Sequence, residues 1–413
     1  MRIAQIAPLI ERVPPELYGG TERVVSALTE ELVRRGHEVT LFASGDSQTA
    51  ATLVPIVERA LRLDPTVVDP RAHLMLQLGT VFERAAEFDV IHSHVDYNAL
   101  PFSRFVRTPV VTTQHGRLDL PDLPPIYRHY PEAPQVSISD SQRAPLPVAR
   151  WVATVHNGID LATFRYDATR ERKEGEYFAF LGRISPEKNI EGAIAIARRT
   201  GIPLRIAAKV DRVDRDYYDA RIKPLIDGRH IEYIGEIDDA EKSDFLGPAT
   251  ALLFPVRWPE PFGLAMIEAL ACGTPVLALR QGAIPEIIED GVTGFIRDSE
   301  EELAAAAPLL VGLDRLACRH AVETRFSAAA MAVGYEAVYR SLVVQYEAIS
   351  ARSSSRSRPP AHARSVWASP RSPRTSLPPE ARAASRRCLS GRLVAAAPPS
   401  VRVPLKFGTT GRW

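Results

Sequence analysis

Cysteine is scarce in this sequence, and so are long apolar runs, and each shortage excludes a class of protein. The 413 residues include three cysteines, Cys272, Cys318 and Cys388, with neither disulfide-framework nor metal-ligand spacing. This usage predicts a reducing, cytoplasmic location. No apolar run reaches the length of about 18 residues that a membrane span needs, so no stable membrane insertion is expected. The apolar segment at residues 2–7 is too short for a signal peptide and predicts a first strand.

Two common nucleotide-binding fingerprints are missing as well. Neither G-x-G-x-x-G nor G-x-x-x-x-G-K-[ST] occurs anywhere in the chain. The first marks the phosphate-binding turn of nicotinamide dehydrogenases, and the second marks that of P-loop phosphotransferases. Their absence argues against both of these enzyme classes.

Charge is distributed unevenly along the chain. The net charge of the whole protein is +1, but residues 351–413 contain twelve arginines and one lysine against a single acid, Glu380. The first 350 residues therefore have a net charge of −11, which argues against nucleic-acid binding. The basic segment is rich in Arg, Ser, Pro and Ala and has no hydrophobic periodicity, so we expect a disordered tail at 351–413.

The first 350 residues alternate short apolar runs with helical patterns, which is the signature of parallel α/β sheets. The alternation ends near residue 155 and restarts at Tyr177, so it predicts two α/β units in series, at residues 1–168 and 169–327. Apolar residues at helical spacing then predict a helix at 328–350. A return of this helix across the first unit is possible, but the spacing does not select it.

Two glutamates eight positions apart form the most informative motif. Glu260 lies between Pro259 and Pro261, which favour extended backbone. Glu268 lies in an apolar run that predicts a helix ending at Gly273. We expect both carboxylates near a helix N-terminus, where free backbone N–H groups attract anions. Such a site suits a sugar nucleotide, which has an anionic part and several hydroxyls, although the spacing alone also fits a surface helix with two solvated acids.

A second motif follows the first strand of the second unit. Arg183 and Lys188 are five positions apart across a proline-containing turn, so both side chains can converge on one anion. The planar fork of arginine and the point charge of lysine can neutralise a diphosphate without a metal ion. The position favours a ligand site over a solvated surface turn, because α/β sheets bind ligands at the carboxyl ends of their strands.

Smaller features suggest further contacts. Gly19 and Gly20 precede the first helix, where backbone N–H groups can approach a phosphate. His115 follows a strand of the first unit and can touch the same ligand. His92 and His94 have H-x-H spacing, but no further ligand cluster accompanies them, so a metal site is not predicted. A charge-rich loop of the second unit is interpreted as a solvated face; its acids are Asp211, Asp214 and Asp216.

Together, and in this order, the motifs resemble glycosyltransferase family 4, the retaining GT-B glycosyltransferases. The resemblance covers residues 1 to about 345, and the tail matches nothing in the family. The matching segments are Tyr18–Arg23, Gln114–Gly116, Val155–Asp160, Gly182–Asn189, Glu260–Glu268, Gly282–Glu286 and Gly291–Phe295.

The resemblance implies two Rossmann-like domains facing across a cleft, with the acceptor on the first and a nucleotide-diphosphate sugar on the second. It implies that Arg183 and Lys188 bind the diphosphate and stabilise the leaving group. It also implies that His115 and Glu260 contact the donor sugar and that Glu268 holds the ribose. The other predicted substrate-binding residues are Gly19, Gly20, Gly182, Glu236, Phe262, Gly263 and Leu264.

The predicted activity is a metal-independent, cofactor-free hexosyl transfer that retains the anomeric configuration. The acceptor is a glycan, a lipid or a small molecule, and the sequence selects neither among these nor among the possible bases and sugars. Two alternatives stay open: a GT-B sugar-nucleotide epimerase or phosphorylase, and a non-catalytic sugar-nucleotide-binding protein. The presence of five candidate site residues argues against the second alternative, because a protein that only binds a sugar nucleotide does not need all of them; they are His115, Arg183, Lys188, Glu260 and Glu268.

Overall fold

A computed structural model describes residues 1–168 and 177–356, with side chains as far as residue 349. The predicted boundary at residue 169 falls outside the described residues. The predicted tail lies outside them as well, except for residues 351–356. These six residues continue the last helix, which ends at Arg356 and is therefore longer than the predicted helix at 328–350.

The first domain is built on a parallel sheet, which in the described part of the chain has seven strands in the order β3-β2-β1-β4-β5-β6-β7. Its strands are β1 (Arg2–Ile6), β2 (Glu38–Ser44), β3 (Thr52–Val57), β4 (Val90–Ser93), β5 (Val110–Thr113), β6 (Pro134–Ser137) and β7 (Arg150–Thr154). Its helices are α1 (Gly20–Arg34), α2 (Pro70–Glu83), α3 (Leu100–Ser103), α4 (Leu123–His129) and α5 (Asp140–Arg143). The strand order reverses between β1 and β4, so the loops after these two strands border a crevice of the kind in which α/β sheets bind ligands.

The second domain repeats this plan with a parallel sheet in the order β10-β9-β8-β11-β12-β13. Its strands are β8 (Phe178–Arg183), β9 (Leu204–Lys209), β10 (Ile231–Gly235), β11 (Ala251–Phe254), β12 (Val276–Leu279) and β13 (Gly294–Arg297). Its helices are α6 (Ile190–Thr200), α7 (Arg215–Tyr217), α8 (Asp239–Leu246), α9 (Leu264–Ala271), α10 (Ile284–Ile287), α11 (Glu300–Ala306) and α12 (Arg315–Arg325). Here the order reverses between β8 and β11, so the loop after β8 lies at the corresponding crevice.

Local sequence explains where the principal helices begin and end. The apolar stripe of α1 is buried at Val24, Leu28 and Leu32 against the first sheet. At the start of α6, the side-chain oxygen of Asn189 accepts a hydrogen bond from the backbone N–H of Gly192 at 3.1 Å, as an N-cap does. Gly201 ends the same helix with a φ of 73°, a conformation that favours glycine.

The last helix, α13 (Ala328–Arg356), returns to the first domain. Met331, Tyr335 and Tyr339 are buried in one cluster with residues of β1 and α1. The two crossings between the domains run side by side, because Ile159 N–H donates to Phe326 O at 2.9 Å. At this point a Cβ on Gly158 would lie 2.4 Å from the carbonyl oxygen of Ser327, so only glycine allows the two backbones to approach this closely.

Cys272 and Cys318 are buried free thiols. Within residues 1–168 and 177–356, no helix has the length and apolar character needed to cross a membrane.

Candidate active site

The carboxyl ends of the two sheets meet across a cleft that is bridged by polar contacts. Ser139 Oγ in the first domain donates to Pro261 O in the second at 2.7 Å. The Glu286 carboxylate accepts hydrogen bonds from the backbone N–H groups of Asp140 and Ser141, both at 2.8 Å. Burial raises the pKa of Glu286, but hydrogen bonds from His156 and these N–H groups outweigh it, so the pKa is lowered. Glu286 is therefore a charged residue of the second domain that binds backbone N–H groups of the first.

Lys188 and Glu260 are direct neighbours although 72 positions separate them. Lys188 Nζ donates to Glu260 Oε2 at 2.6 Å, and the indole N–H of Trp258 donates to the same oxygen at 2.8 Å. Gly282, with a φ of 50°, supports this arrangement, since a Cβ there would lie 2.3 Å from the Glu260 carbonyl oxygen. The structure thus joins the predicted phosphate-binding cation to the predicted sugar-binding carboxylate.

Arg183 ends β8 and is surrounded by carboxylates of its own domain. Its guanidinium lies 2.5 Å from Glu187 Oε1 and 3.6 Å from an oxygen of both Asp211 and Asp214. The interpretation of the 211–216 loop as a solvated face is therefore wrong for Asp211 and Asp214, while Asp216 is exposed. The loop folds back onto β8, which its charge-rich sequence does not indicate.

Glu268 is almost fully buried and belongs to a cluster of four charges. It is the fifth residue of α9 and lies in the second turn, on the early part of the helix as predicted. Lys242 Nζ donates to its Oε1 at 2.7 Å, and Arg23 Nε in the first domain lies 3.7 Å from the same oxygen. Asp239 binds both cations and completes the cluster. The predicted ribose-binding carboxylate is therefore held by one cation from each domain.

The glycine loop of the first domain faces the start of α9. A Cβ on Gly20 would lie 3.5 Å from Leu264 Cδ1, and one on Gly19 would lie 2.7 Å from Pro15 Cβ. Gly19 is thus required by the packing of its own loop, whatever ligand is bound. Gly263 has a φ of 91° and precedes the first residue of α9.

The remaining predicted contacts are less central. The Phe262 side chain is 2 % exposed and packs among the rings of His156 and Phe326, so only its backbone can reach a ligand. Gly182 lies within β8, next to Arg183. Glu236 is exposed in the loop after β10. Its charge, together with the larger effect of burial, raises the pKa of Glu11 in the first domain.

His115 follows β5 and contacts a second histidine of the first domain. His115 Nε2 lies 2.9 Å from His94 Nδ1. The side-chain amide of Gln142 donates to the carbonyl oxygens of Gln114 and Gly116 at 2.9 and 2.8 Å, which fixes the backbone on both sides of His115. Burial lowers the pKa of His115 to about 4, although part of its surface stays accessible. His115 is therefore neutral near pH 7.

Several site residues have no recognisable signal in the sequence. Lys242 lies on an otherwise acidic stretch of α8, and its role appears only once α8 packs beside α9. Trp258 and Asp239 likewise become site residues through contacts distant in sequence. Among the described residues, no group of three His, Cys, Asp or Glu side chains forms a metal-ligand cluster.

Two family models match successive parts of the chain and together span both domains. "Glycosyltransferase Family 4" matches residues 18–181, and "Glycosyl transferases group 1" matches residues 165–316. The chain belongs to glycosyltransferase family 4. The family predicted from the motifs is therefore confirmed, as is the general activity of a glycosyltransferase.

This family-4 glycosyltransferase is similar to curated enzymes along most of its length. It is 28 % identical over 350 residues to a glycogen synthase of Mycobacterium tuberculosis, which covers 73 % of this chain and 84 % of the relative. It is 26 % identical over 386 residues to a phosphatidyl-myo-inositol mannosyltransferase of Mycolicibacterium smegmatis, covering 85 % of this chain and 94 % of the relative.

The crystal structure of HepE from Anabaena, in complex with UDP and glucose, has the same fold. It superposes with a TM-score of 0.64 at 17 % identity, covering 83 % of this chain and 100 % of that chain. The predicted GT-B architecture of two Rossmann-like domains is confirmed.

Proposed function

We propose that this glycosyltransferase moves a hexosyl group from a nucleotide-diphosphate sugar to a hydroxyl acceptor, with retention of the anomeric configuration and without a metal ion or cofactor. The observation that carries the proposal is the 2.6 Å contact between Lys188 Nζ and Glu260 Oε2. Ammonium groups bind phosphate, and carboxylates accept hydrogen bonds from hydroxyls. Adjacent groups of these two kinds suit a ligand in which a phosphate is bonded directly to a sugar ring.

The cations after β8 supply the positive charge that the leaving diphosphate needs. Arg183 and Lys188 lie close together in the sequence, and each is paired with carboxylates of its own domain. A diphosphate replaces carboxylate partners with its own oxygens, so these cations can stabilise the charge that develops as the glycosidic bond breaks. Two fixed cations there support a reaction that does not depend on a divalent metal.

The carboxylates and His115 hold the two ends of the donor. We assign Glu260 to the hydroxyls of the transferred sugar, because it adjoins Lys188. We assign Glu268 to the ribose, because it lies in the second turn of the donor domain's α9, whose first residue, Leu264, faces the glycine loop. His115, at the carboxyl end of β5, contacts the sugar from the acceptor side.

In the proposed reaction, the acceptor oxygen forms a bond to the anomeric carbon on the face that the diphosphate leaves. The bond from that carbon to the diphosphate oxygen breaks, and its electron pair stays with the leaving group. The acceptor proton passes to the departing phosphate oxygen. The products are a glycoside and a nucleoside diphosphate.

The test is turnover of UDP-, GDP- and ADP-linked glucose and mannose in the presence of glucan, lipid and sugar-phosphate acceptors. Nucleoside diphosphate release measures turnover, and the proton coupling constant at the anomeric carbon of the product gives its configuration. We expect the anomer of the donor, formed at the same rate in EDTA. An inverted product would contradict retention, and loss of activity in EDTA that returns with Mg²⁺ would contradict metal independence.

A donor-only incubation separates transfer from the epimerase alternative, since an epimerase changes the sugar with no acceptor present.

Thermal unfolding with each nucleoside diphosphate identifies the base, because a ligand that binds only the folded state raises the melting temperature. We place the reaction in the cytoplasm, which the buried free thiols of Cys272 and Cys318 favour.

A further inference from the structure

A chain of hydrogen bonds begins at His115 and runs through the interior of the first domain. His94 Nδ1 lies 2.9 Å from His115 Nε2, and His94 Nε2 lies 2.7 Å from Gln5 Oε1. The Gln5 amide N–H donates to the Tyr339 hydroxyl at 3.4 Å, and this hydroxyl lies 2.7 Å from His92 Nδ1. The chain thus connects the active-site histidine with helix α13.

The donors and acceptors follow from the carboxamide of Gln5. Its oxygen can only accept, so the proton in the 2.7 Å contact belongs to His94 Nε2. A neutral imidazole has a single N–H, so His94 Nδ1 is an acceptor, and the proton in the next contact belongs to His115 Nε2. His115 Nδ1 is then unprotonated and has a lone pair. The opposite amide orientation would reverse every bond and place the proton of His115 on Nδ1, so the two arrangements differ at an observable atom.

Burial keeps both rings neutral near pH 7. It lowers the pKa of His115 to about 4. Burial, with smaller contributions from His92 and His115, lowers the pKa of His94 well below its usual value. The His92 and His94 rings also pack against each other with centroids 4.0 Å apart, which restricts rotation of the His94 ring.

We propose that His94 is a positioning residue for the transfer reaction: it holds His115 in the form protonated at Nε2, so that His115 Nδ1 accepts a hydrogen bond from a hydroxyl of the donor sugar. The inference rests on the proposed function for the identity of the ligand. The protonation of His115 is a property of the ligand-free protein and can be measured without any substrate. The proposal also gives a role to His94 of the H-x-H motif, around which the described residues form no metal-ligand cluster.

The direct test is the proton position on His115 in the ligand-free, full-length protein near pH 7. Long-range ¹H–¹⁵N correlation spectra of protein labelled at histidine show which ring nitrogen is protonated, and a His115→Gln variant assigns the signals. We expect a proton on Nε2 and none on Nδ1. A proton on Nδ1 of His115 would overturn the proposal, and this result requires no variant at His94 to fold.

Two substitutions at His94 separate positioning from packing. His94→Asn keeps an amide oxygen near the place of Nδ1, whereas His94→Phe keeps a ring and removes the acceptor. We expect the Nε2–H form of His115 to persist in the Asn variant and to become a mixture of both forms in the Phe variant. The kcat/KM for the donor should fall about 3- to 10-fold in the Phe variant, the scale of one hydrogen bond, and much less in the Asn variant.

The matched control is His129→Gln, in the same domain, because His129 is exposed at the end of α4 and lies outside this hydrogen-bond chain. It should leave the proton position of His115 unchanged even where it lowers stability. If both His94 variants lost kcat/KM equally and the protonation of His115 was the same in both as in wild type, His94 would be a structural residue only. A protein that turns over no donor yet shows the expected wild-type spectrum would refute the proposed function and leave the proton assignment intact.

Discussion

The two sides of the cleft are supported by different kinds of polar group. On the first-domain side, Arg23 is the cation that reaches the cluster around Glu268, and a network of neutral, hydrogen-bonded groups runs inward from His115; they are His92, His94, His115, Gln5 and Tyr339. On the second-domain side, the polar groups are charged and joined in ion pairs; the cations are Arg183, Lys188 and Lys242, and the anions are Glu187, Glu260, Glu268, Asp211, Asp214 and Asp239.

The difference separates two tasks of a sugar-nucleotide site. A neutral network has fixed donors and acceptors, so it can recognise the geometry of hydroxyl groups. Ion pairs can exchange a carboxylate for a phosphate, and until they do so, they keep a buried cation compensated. The neutral network of the first domain therefore suits recognition of hydroxyl geometry, and the ion pairs of the second suit compensation of charge.

The largest expected effect tests the ionic side. Lys242→Met removes the cation that lies 2.7 Å from the buried Glu268, so the free energy of unfolding should fall by roughly 3–5 kcal/mol, the cost of breaking a buried pair. Urea denaturation measures it. The matched control is Lys223→Met, since Lys223 and Asp219 form an exposed pair at 3.8 Å, and that change should cost less than about 1 kcal/mol. Equal costs for the two variants would contradict the comparison.

The next effect concerns catalysis. Lys188→Ala removes the cation from beside Glu260, and the turnover number should fall by about 10²- to 10³-fold, the scale for one preorganised charge stabiliser. Steady-state release of nucleoside diphosphate measures this loss. Lys188→Arg, which keeps the charge, should retain more activity than Lys188→Ala, and Lys223→Ala should behave as wild type. Near-normal turnover of Lys188→Ala would remove Lys188 from the mechanism.

Glu22 is a buried ionisable residue of the first domain that lies outside the neutral network. Burial raises its pKa from 4.5 to about 7, so its ionisation destabilises the folded state as pH rises from 4.5 to 7. Glu22→Gln removes this ionisation. As pH rises from 4.5 to 7, the free energy of unfolding of the variant should therefore increase relative to that of wild type, by a total on the order of 3 kcal/mol. Glu16→Gln, at an exposed position, is the control, and a gain as large there would count against a burial effect.

The smallest expected effect comes from His92, whose pKa burial lowers well below 6.5. The unfolded state then binds more protons, so wild type loses stability as pH falls below 6.5, at about 1.4 kcal/mol per pH unit for this one group. His92→Gln lacks this loss, so the stability difference between the two proteins should shrink as pH falls from 6.5 to 5. Glu22 and Asp96, whose pKa values are raised, change the stability with pH in the opposite direction to His92. Both proteins contain these two groups, so their contributions cancel in the difference between the variant and wild type. A constant difference would mean that His92 is not held neutral.

Much of the fold could be predicted from the sequence, because buried parallel strands leave continuous apolar runs. Val110–Thr113 and Ala251–Phe254 have the bounds that their patterns indicate. The sequence pattern does not indicate the strand Thr52–Val57, since it lies at the sheet edge, is only partly buried and contains Pro55. The pattern does not indicate Gly294–Arg297, because Gly294 and Arg297 leave only Phe295 and Ile296 as residues typical of a strand.

The candidate site was predictable only where its residues are close in sequence. Arg183 and Lys188 could be recognised because one short turn carries both of them. The contact of Lys188 with Glu260 and that of Arg23 with Glu268 join distant segments. Such contacts depend on how the sheets and helices pack, which no local spacing records.

The return of α13 to the first domain has a consequence for synthesis on the ribosome. The apolar surface of α1 and β1 is covered by Met331, Tyr335 and Tyr339, which are translated after every strand of the second domain. Domains generally fold in the order in which they emerge, but here the domain that emerges first is completed last. Until Met331, Tyr335 and Tyr339 leave the exit tunnel, the nascent chain can form the second sheet while this apolar surface of the first domain is still uncovered.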